Sequence, residues 1–280
     1  MMLDSLPFGL EPVARILHGD NLPLLRELCA ELGPTVTLAY LDPPYLTQRD
    51  WKTSSGELAY SDRWATMDDY LDHLRLRLEA IRDLLAPEGC CVVHVDWRTS
   101  GYVRVLGDEV FGRDNFASDI VWRYRRWPSK TKNFQRVHDV LLRWVRTPGG
   151  GTWNQLYEPL APSTVKHWGT RRQRADVDAE GRRKRSSSTS EPSPGVPLGD
   201  VWDLPIIAPR ARERTGYPTQ KPEALLERLI AACTNEGDLV LDPYLGSGTT
   251  AAVAVKLGRQ TIGIDASRIA VETTTARLAA

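Results

Sequence analysis

The feature that most constrains the fold is a strand-turn-helix-strand unit close to the end of the sequence. Residues 238–242 form an apolar strand pattern, a glycine-rich turn and a helix over 248–257 follow, and a second apolar strand covers 260–265. Such a unit normally opens a doubly wound sheet, yet only 15 residues follow Asp265. The remaining strands must come from earlier in the chain. We therefore expect an α/β fold with a mainly parallel, permuted sheet and helices on both faces.

The turn of this unit has the composition of a ligand-binding turn. From Asp242 to Thr250 the sequence reads D-P-Y-L-G-S-G-T-T, so backbone N–H groups at a helix start are free to face a ligand. Asp265, at the end of the next strand, is placed to accept hydrogen bonds from ribose hydroxyls. Gly246-x-Gly248-x-x-Ala251 equally satisfies the dinucleotide fingerprint, so this pattern alone leaves NAD open as the ligand.

A second motif, Asp42-Pro43-Pro44-Tyr45, follows a buried strand predicted over 35–41. The carboxyl ends of parallel strands share one edge, so the motif and the glycine turn are expected on the same edge of the sheet. Two prolines hold the backbone extended and fix a carboxylate beside an aromatic ring. The alternative is a strand-ending turn with a packed tyrosine; the two motifs together favour a functional site.

Periodicity and capping signals predict most other elements. Asp20 or Asn21 begins a helix with a leucine face, and Thr66 with Asp69 forms a capping box for a helix over 67–86. The further predicted elements are strands over 90–95, 116–122 and 138–145, a helix after Lys221-Pro222, and a last helix from Ser267.

Positive charge is gathered in two stretches of a chain whose formal charge is zero. Residues 122–146 hold eight Lys or Arg and one acid, a net charge of +7, and residues 166–185 carry +5, whereas the rest carries −12. Two solvated loops would have the same pattern. The interleaved aromatic residues of the first stretch favour nucleic acid, because rings stack on bases while basic side chains bind phosphate. The predicted contact residues are Arg123, Arg125, Arg126, Lys130 and Lys132.

Composition excludes several classes of protein. No apolar run approaches the roughly 18 residues of a membrane span, and the start M-M-L-D-S lacks a signal-peptide pattern. The four cysteines show no C-x-x-C spacing, so they predict neither a metal site nor disulfides. We expect a cytoplasmic protein without bound metal or membrane partner.

The chain resembles the β-class amino-group DNA methyltransferases, and is similar to type III modification subunits and their solitary relatives. The resemblance rests on D-P-P-Y at Asp42, then T-Q-K-P at Thr219, then the D-P-x-x-G-S-G-T-T turn, in this order. NAD-binding proteins do not share this combination. It implies a permuted Rossmann-like methyltransferase fold that uses S-adenosylmethionine, with an inserted DNA-recognition region.

The resemblance also implies domains and residue roles. The expected division is a catalytic half over 1–121, a target-recognition region over 122–215 with a flexible segment over 170–198, and a cofactor-binding half over 216–280. The implied catalytic residues are Asp42, Pro43, Pro44 and Tyr45. The implied cofactor-binding residues are Asp20, Asn21, Gln220, Lys221, Asp242, Pro243, Gly246, Ser247, Gly248, Thr249 and Asp265. Asp20 as a simple helix cap and Lys221 as a solvated residue remain open alternatives.

The function expected from the resemblance is methylation of the exocyclic N6 of a flipped adenine in double-stranded DNA. Adenine is favoured because an aspartate, and not a serine, precedes Pro43-Pro44-Tyr45. The alternatives are an N4-cytosine methyltransferase, a non-catalytic DNA-binding partner with the same fold and, third, an NAD oxidoreductase. A homodimer and a cognate restriction enzyme are further candidate partners.

Overall fold

The computed structural model describes residues 13–128, 130, 132–174, 177–182 and 187–280. Its strands are β1 (Ala14–His18), β2 (Val36–Leu41), β3 (Arg49–Lys52), β4 (Leu58–Asp62), β5 (Leu85–Val95), β6 (Phe116–Arg123), β7 (His138–Val145), β8 (Tyr157–Glu158), β9 (Arg171–Arg174), β10 (Ser187–Pro192), β11 (Val196–Pro197), β12 (Val201–Asp203), β13 (Leu239–Asp242) and β14 (Gln260–Asp265). Its helices are α1 (Asn21–Leu32), α2 (Met67–Leu84), α3 (Ser100–Phe111), α4 (Pro162–Trp168), α5 (Glu223–Cys233), α6 (Thr249–Lys256) and α7 (Arg268–Leu278), with one 3₁₀ turn at Arg113–Asn115.

The central sheet has the permuted order expected from the sequence. Its strands run β1-β14-β13-β2-β5-β7-β6-β12. Neighbours from β1 to β5 are parallel, β7 is antiparallel to both β5 and β6, and β12 is parallel to β6. The last two strands of the sequence thus lie between β1 and β2. The prediction of a mainly parallel, permuted α/β sheet is confirmed.

Two groups of helices cover the sheet. All six residues of β2 are buried, which requires apolar cover on both faces. Helices α1, α2 and α3 pack side by side, as do α5, α6 and α7. Leucines of α1 and α2 join β2 and β5 in the main apolar core. Within the described residues, no helix combines the length and apolarity that crossing a bilayer requires.

Local signals placed the early helices correctly. The Asp20 side chain accepts the N–H of Leu22 at 3.1 Å and begins α1. Thr66 and Asp69 form both hydrogen bonds of the predicted capping box, and α2 begins at Met67. Strand β5 begins at Leu85, five residues earlier than predicted, because the chain turns extended directly after α2. Strand β1, the β3–β4 hairpin and helix α3 were not predicted.

The chain divides elsewhere than the sequence indicated. A compact unit covers Gln155–Gly199, in which β8 pairs with β11 and β9 with β10. Residues 122–154 and 200–215 belong with the rest of the chain, because β6, β7 and β12 are strands of the central sheet. Of the segment expected to be flexible, residues 175–176 and 183–186 lie outside the described residues, and the β9–β10 ladder accounts for much of the remainder.

The predicted motifs lie at one edge of the sheet. Asp42 directly follows β2, Asp242 ends β13 and Asp265 ends β14. These are carboxyl ends of parallel strands and therefore lie at the same edge. Val95 at the end of β5 pairs with Val140 of β7, so the β6–β7 hairpin opens beyond this edge as well.

Candidate active site at the carboxyl edge of the sheet

Asp42 is the residue at which the two predicted motifs meet. The Tyr45 hydroxyl donates a hydrogen bond of 2.5 Å to Asp42 Oδ1. The Lys221 ammonium donates to the other oxygen, Oδ2. The Lys221 Nζ atom also lies 5.2 Å from the centre of the Tyr45 ring. Residues 179 positions apart in the sequence therefore form one cluster, and Lys221 is paired and not a solvated surface residue.

The loop after Tyr45 is held by Asp62, at the end of β4. This carboxylate is 1% exposed. It accepts the backbone N–H groups of Tyr45, Leu46 and Thr47 at 3.1, 2.9 and 2.9 Å. The Thr47 hydroxyl donates to it at 2.5 Å and the Trp64 indole at 3.3 Å. The sequence did not predict a role for Asp62, because that role depends on the β3–β4 hairpin, which no local sequence pattern indicates.

A cavity of about 260 Å³ opens beside the Asp42 carboxylate. Trp51 and Tyr60, from facing strands of the β3–β4 hairpin, stack with ring centres 6.3 Å apart and planes 23° apart. The cavity is lined by Asp42, Pro43, Tyr45, Thr47, Trp51, Tyr60, Asp62, Thr219 and Lys221. Aromatic walls around one carboxylate suit a flat ring that carries a hydrogen-bond donor.

A second cavity, of about 320 Å³, lies over the glycine turn. Its lining includes Tyr40, Asp42, Tyr217, Thr219, Gln220, Lys221, Leu226, Asp242, Tyr244, Gly246, Ser247, Thr249 and Thr250. Asp42, Thr219 and Lys221 line both cavities. The two spaces therefore adjoin at the Asp42–Lys221 pair.

The glycine turn has the geometry that only glycine adopts easily. Gly246 and Gly248 have φ of +51° and +72°, in the left-handed region that other residues avoid. A Cβ on Gly248 would lie 2.4 Å from the Thr274 hydroxyl oxygen of α7. The Asp265 carboxylate accepts the N–H of Gly246 at 2.8 Å and that of Ser267 at 2.7 Å. Asp265 thus holds the turn through two backbone N–H groups, and its role in binding ribose hydroxyls stays a prediction.

Asp242 is a buried acid in the wall of the glycine-turn cavity, and it is 2% exposed. Burial raises its pKa to about 7, and the negative charges of Asp42 and Asp265 act in the same direction. Hydrogen bonds from Thr250 and from the Tyr244 N–H lower the pKa but do not outweigh burial. A cationic ligand group beside Asp242 would stabilise its ionised form.

Three predicted cofactor-binding residues support the site from outside the cavity. Asp20 caps α1 and accepts from Arg77 at 2.9 Å, as its alternative role predicted. Asn21 donates to the Pro243 carbonyl at 2.8 Å and accepts from Arg77 at 2.7 Å. Neither Asp20, Asn21 nor Pro243 lines the glycine-turn cavity. Together they tie the start of α1 to the turn.

Gln220 and Thr249 connect the T-Q-K-P segment to the glycine turn. Gln220 accepts the Thr215 N–H at 2.9 Å and donates to the Glu213 carbonyl at 2.6 Å. The Thr249 hydroxyl donates to the Lys221 carbonyl at 3.1 Å. These bonds fix the segment from which the Lys221 side chain reaches Asp42.

A fully buried histidine links the site to the β6–β7 hairpin. His94 Nδ1 lies 2.8 Å from the Tyr40 hydroxyl, and Nε2 lies 3.5 Å from Asp139. The His94 and Tyr45 ring centres are 6.0 Å apart. Burial acts to raise the pKa of Asp139, but the nearby His94 imidazole and Lys221 ammonium, with a hydrogen bond from the Tyr124 hydroxyl, outweigh it and hold that pKa below its usual value.

The predicted basic contact residues of the hairpin are all exposed, whereas the aromatic residues between them differ in exposure. Arg123 pairs with Asp203 of β12 at 2.9 Å. Arg125, Arg126, Lys130 and Lys132 are exposed between β6 and β7. Of the interleaved aromatic residues, Trp122 and Tyr124 are buried, whereas Trp127 and Phe134 are 93% and 94% exposed. Only the latter two present rings to solvent, because Trp122 packs within the sheet and donates to the Leu204 carbonyl.

The chain is similar in sequence to known DNA methylases. A family model described as DNA methylase matches residues 36–276. The Type II methyltransferase M.EcaI of Enterobacter cloacae is 30% identical over 94% of this chain and 69% of its own length. The DNA adenine methyltransferase YhdJ of Escherichia coli K12 is 30% identical over 89% of this chain and 77% of its own.

Solved structures share the fold at lower identity. The complex of M1.HpyAVI with SAM superposes with a TM-score of 0.63 at 20% identity and covers 95% of this chain and 99% of that one. The PvuII DNA methyltransferase, described as cytosine-N4-specific, gives a TM-score of 0.60 at 18% identity over 98% of this chain and 89% of its own.

Proposed function

The chain belongs to the N6/N4 family of DNA methylases, and we propose that it transfers a methyl group from S-adenosylmethionine to the exocyclic N6 of an adenine in double-stranded DNA. The observation that carries the proposal is the junction of the two cavities at Asp42. A carboxylate at this junction reaches an amino group in one cavity and faces the cofactor in the other.

The residues of the glycine-turn cavity fit this cofactor. Bound S-adenosylmethionine supplies a methyl group on a cationic sulfur. Asp242, with a pKa of about 7, is a buried acid suited to the cationic methionine end. The left-handed Gly246 and Gly248 bring the backbone close to the ligand, and Ser247 and Thr249 add hydroxyl groups.

Asp42 and Tyr45 hold and orient the target amine in this proposal. An adenine inside a duplex must be flipped out at a cost of a few kcal/mol. Tyr45 stacks on the flipped ring, and the Asp42 carboxylate and the Pro43 carbonyl accept hydrogen bonds from the two amino N–H groups. These bonds aim the nitrogen lone pair at the methyl group, so positioning and charge placement supply most of the catalysis.

Lys221 must move before Asp42 accepts an amino group. In the ligand-free protein the two Asp42 oxygens take hydrogen bonds from Tyr45 and Lys221. The ammonium thus occupies the place that the target amine would take. Lys221 keeps the Asp42 carboxylate paired until the base enters.

The β6–β7 hairpin is the proposed DNA contact surface. Its exposed basic residues, Arg125, Arg126, Lys130 and Lys132, suit phosphate contacts, whereas Arg123 is partly neutralised by Asp203. The hairpin opens at the same edge of the sheet as Asp42. The proposals of a homodimer and of a cognate restriction enzyme rest on the family resemblance alone. Sedimentation tests the first proposal, and co-purification tests the second.

We propose adenine and not cytosine as the target for two reasons. The motif D-P-P-Y begins with an aspartate, and the 30% identical YhdJ is a DNA adenine methyltransferase. Incubation of the protein with DNA and methyl-labelled cofactor, followed by digestion to nucleosides, tests the assignment. We expect N6-methyladenine. N4-methylcytosine alone would overturn the base assignment, and absence of any labelled nucleoside from folded, cofactor-binding protein would favour the non-catalytic alternative.

A further inference from the structure

A single carboxylate, Asp62, organises the loop that carries Tyr45. Five hydrogen bonds converge on it, from three consecutive backbone N–H groups, the Thr47 hydroxyl and the Trp64 indole. None of these five donors carries a formal charge. An ionised carboxylate offers lone pairs for all of them and no proton of its own.

Both oxygens of Asp62 are needed. Oδ2 accepts from the Tyr45 N–H, the Thr47 N–H and the Thr47 hydroxyl. Oδ1 accepts from the Leu46 N–H and from Trp64. Asparagine has the same shape but would direct an NH₂ group at hydrogen-bond donors on one side. The site therefore requires a carboxylate, and not merely a polar side chain of that size.

The loop held by Asp62 has a conformation that it would not keep unaided. Leu46 and Gln48 have φ of +59° and +58°, in the left-handed region that side chains with a Cβ disfavour. Both residues lie within three positions of Tyr45. The bonds to Asp62 compensate this strain and so fix the backbone from which the Tyr45 ring projects.

The same network extends to the aromatic wall of the smaller cavity. The Thr47 hydroxyl, which donates to Asp62, accepts a hydrogen bond from the Trp51 indole at 3.3 Å. Trp51 in turn stacks on Tyr60. The positions of Tyr45 on one side and Trp51 on the other thus depend on one buried carboxylate.

We infer that Asp62 is the positioning residue of a target-base pocket formed by Asp42, Tyr45, Thr47, Trp51 and Tyr60, an inference that rests on the proposed function. The pocket would take a planar nucleobase between its aromatic side chains, with the exocyclic amine towards Asp42. Asp62 lines this cavity and not the glycine-turn cavity. Its loss therefore impairs base capture and leaves cofactor binding intact.

The experiment compares D62N and T47V with wild type and with D50N. Asp50 lies on the same hairpin but is exposed and bonds Ser61 and Arg63. T47V removes one donor to Asp62 and the link to Trp51 at a half-buried position, so it reports on the network even if D62N does not fold. The measurements are cofactor affinity by calorimetry, kcat and KM for DNA, and fluorescence of 2-aminopurine placed at the adenine that wild type methylates.

We expect D62N to lower kcat/KM for DNA about 100-fold and T47V about tenfold, because small displacements of positioned groups have effects of this size. Cofactor affinity should remain at the wild-type value in both, and the 2-aminopurine signal on base extrusion should fall. D50N should match wild type in all three measurements. Amide exchange should be faster at Tyr45, Leu46 and Thr47 in D62N only.

Wild-type kcat/KM in folded D62N, or in T47V if D62N does not fold, would overturn the inference. Equal loss of cofactor affinity would also overturn it, because the effect would then be a general loss of structure. The proposed function fails separately, if wild type methylates no DNA. In that case faster amide exchange in D62N would still establish that Asp62 holds the loop.

Discussion

Lys221 Nζ donates to Oδ2 of Asp42 while the Tyr45 hydroxyl donates to Oδ1 at 2.5 Å. The side chains of Lys221 and Asp42 are 10% and 18% exposed, so the pair is largely withdrawn from water. A cation on the carboxylate and a cationic sulfur bound in the adjoining cavity would repel each other. Entry of the target base and departure of the ammonium are therefore expected to be coupled.

Substitution of Lys221 tests this coupling. K221M should raise the extruded fraction of 2-aminopurine at the target position severalfold, because no ammonium then competes for Oδ2 of Asp42. K221R keeps the cation and should resemble wild type in this assay. Weaker extrusion in K221M than in wild type would mean that Lys221 assists the base and does not compete with it.

Replacement of Asp42 separates catalysis from binding. D42N keeps the shape of the side chain but removes the charge, and we expect kcat to fall about 10²–10³-fold, as for other groups that stabilise developing charge. Calorimetric affinity for S-adenosylmethionine should change little. The exposed Asp72 of α2 provides the control D72N. Turnover at the wild-type rate in D42N would contradict the assigned role.

Charge reversal on the hairpin tests the DNA surface. The double variant R125E/R126E should bind DNA more weakly than wild type. The slope of log K against the logarithm of the salt concentration should become less negative by about 2, because each lost phosphate contact changes the slope by roughly 0.9. The control is R268E, on α7, where Arg268 pairs with Glu272. A salt slope identical to that of wild type would show that Arg125 and Arg126 make no phosphate contacts.

The exposed rings of the hairpin should contribute stacking energy. Trp127 and Phe134 are 93% and 94% exposed, so W127A and F134A should leave thermal unfolding unchanged. Each should weaken DNA binding by about 1–3 kcal/mol if its ring stacks on a base. Fluorescence anisotropy with a duplex that contains the target site measures this. Affinities equal to wild type would place both rings away from the bases.

Asp242 should make the ligand-free protein less stable as pH rises. Its pKa is about 7 in the folded protein, against 3.8 for an unperturbed aspartate. Between these values the folded state binds more protons than the unfolded state, so the free energy of unfolding falls with increasing pH, by up to about 1.4 kcal/mol per pH unit. Below pH 3.8 Asp242 makes its full contribution to the free energy of unfolding.

Urea unfolding of wild type and D242N at several pH values from 5 to 8 measures this contribution. Asp96 and Asp265 also have raised pKa values, because of burial, and act in the same direction in both proteins. The difference between the two curves is therefore the contribution of Asp242. Parallel curves would show that Asp242 is ionised throughout. Bound cofactor should reduce the wild-type slope by favouring the ionised carboxylate.

Elements with local signals were predictable from the sequence. Asp20 and Thr66 are side-chain caps that mark the starts of their helices. The apolar run of β2 is recognisable because both faces of this strand are buried. The D-P-P-Y motif and the glycine turn lay on one edge because parallel strands share direction. These features depend on neighbours within a few positions or on a general rule of sheet geometry.

The missed features depend on contacts between distant residues. Lys221 reaches Asp42 across 179 positions, and no local pattern distinguishes that ammonium from a solvated one. The β3–β4 hairpin is only four and five residues per strand, too short for alternation to be recognised, and Asp62 was missed with it. Trp122 and Tyr124 have the same sequence setting as Trp127. However, Trp122 lies in β6 and Tyr124 directly follows that strand and donates its N–H to the Val137 carbonyl, whereas Trp127 lies further along the loop.

The interposition of β13 and β14 between β1 and β2 has a consequence for synthesis of the protein. A ribosome must translate roughly 200 residues after β2 before its parallel neighbour β13 exists. Closing so long a loop is slow. Until it closes, the edge of β2 that pairs with β13 remains unpaired. Until β13 and β14 have been translated, the central sheet lacks two of its inner strands and the glycine turn between β13 and α6 does not exist.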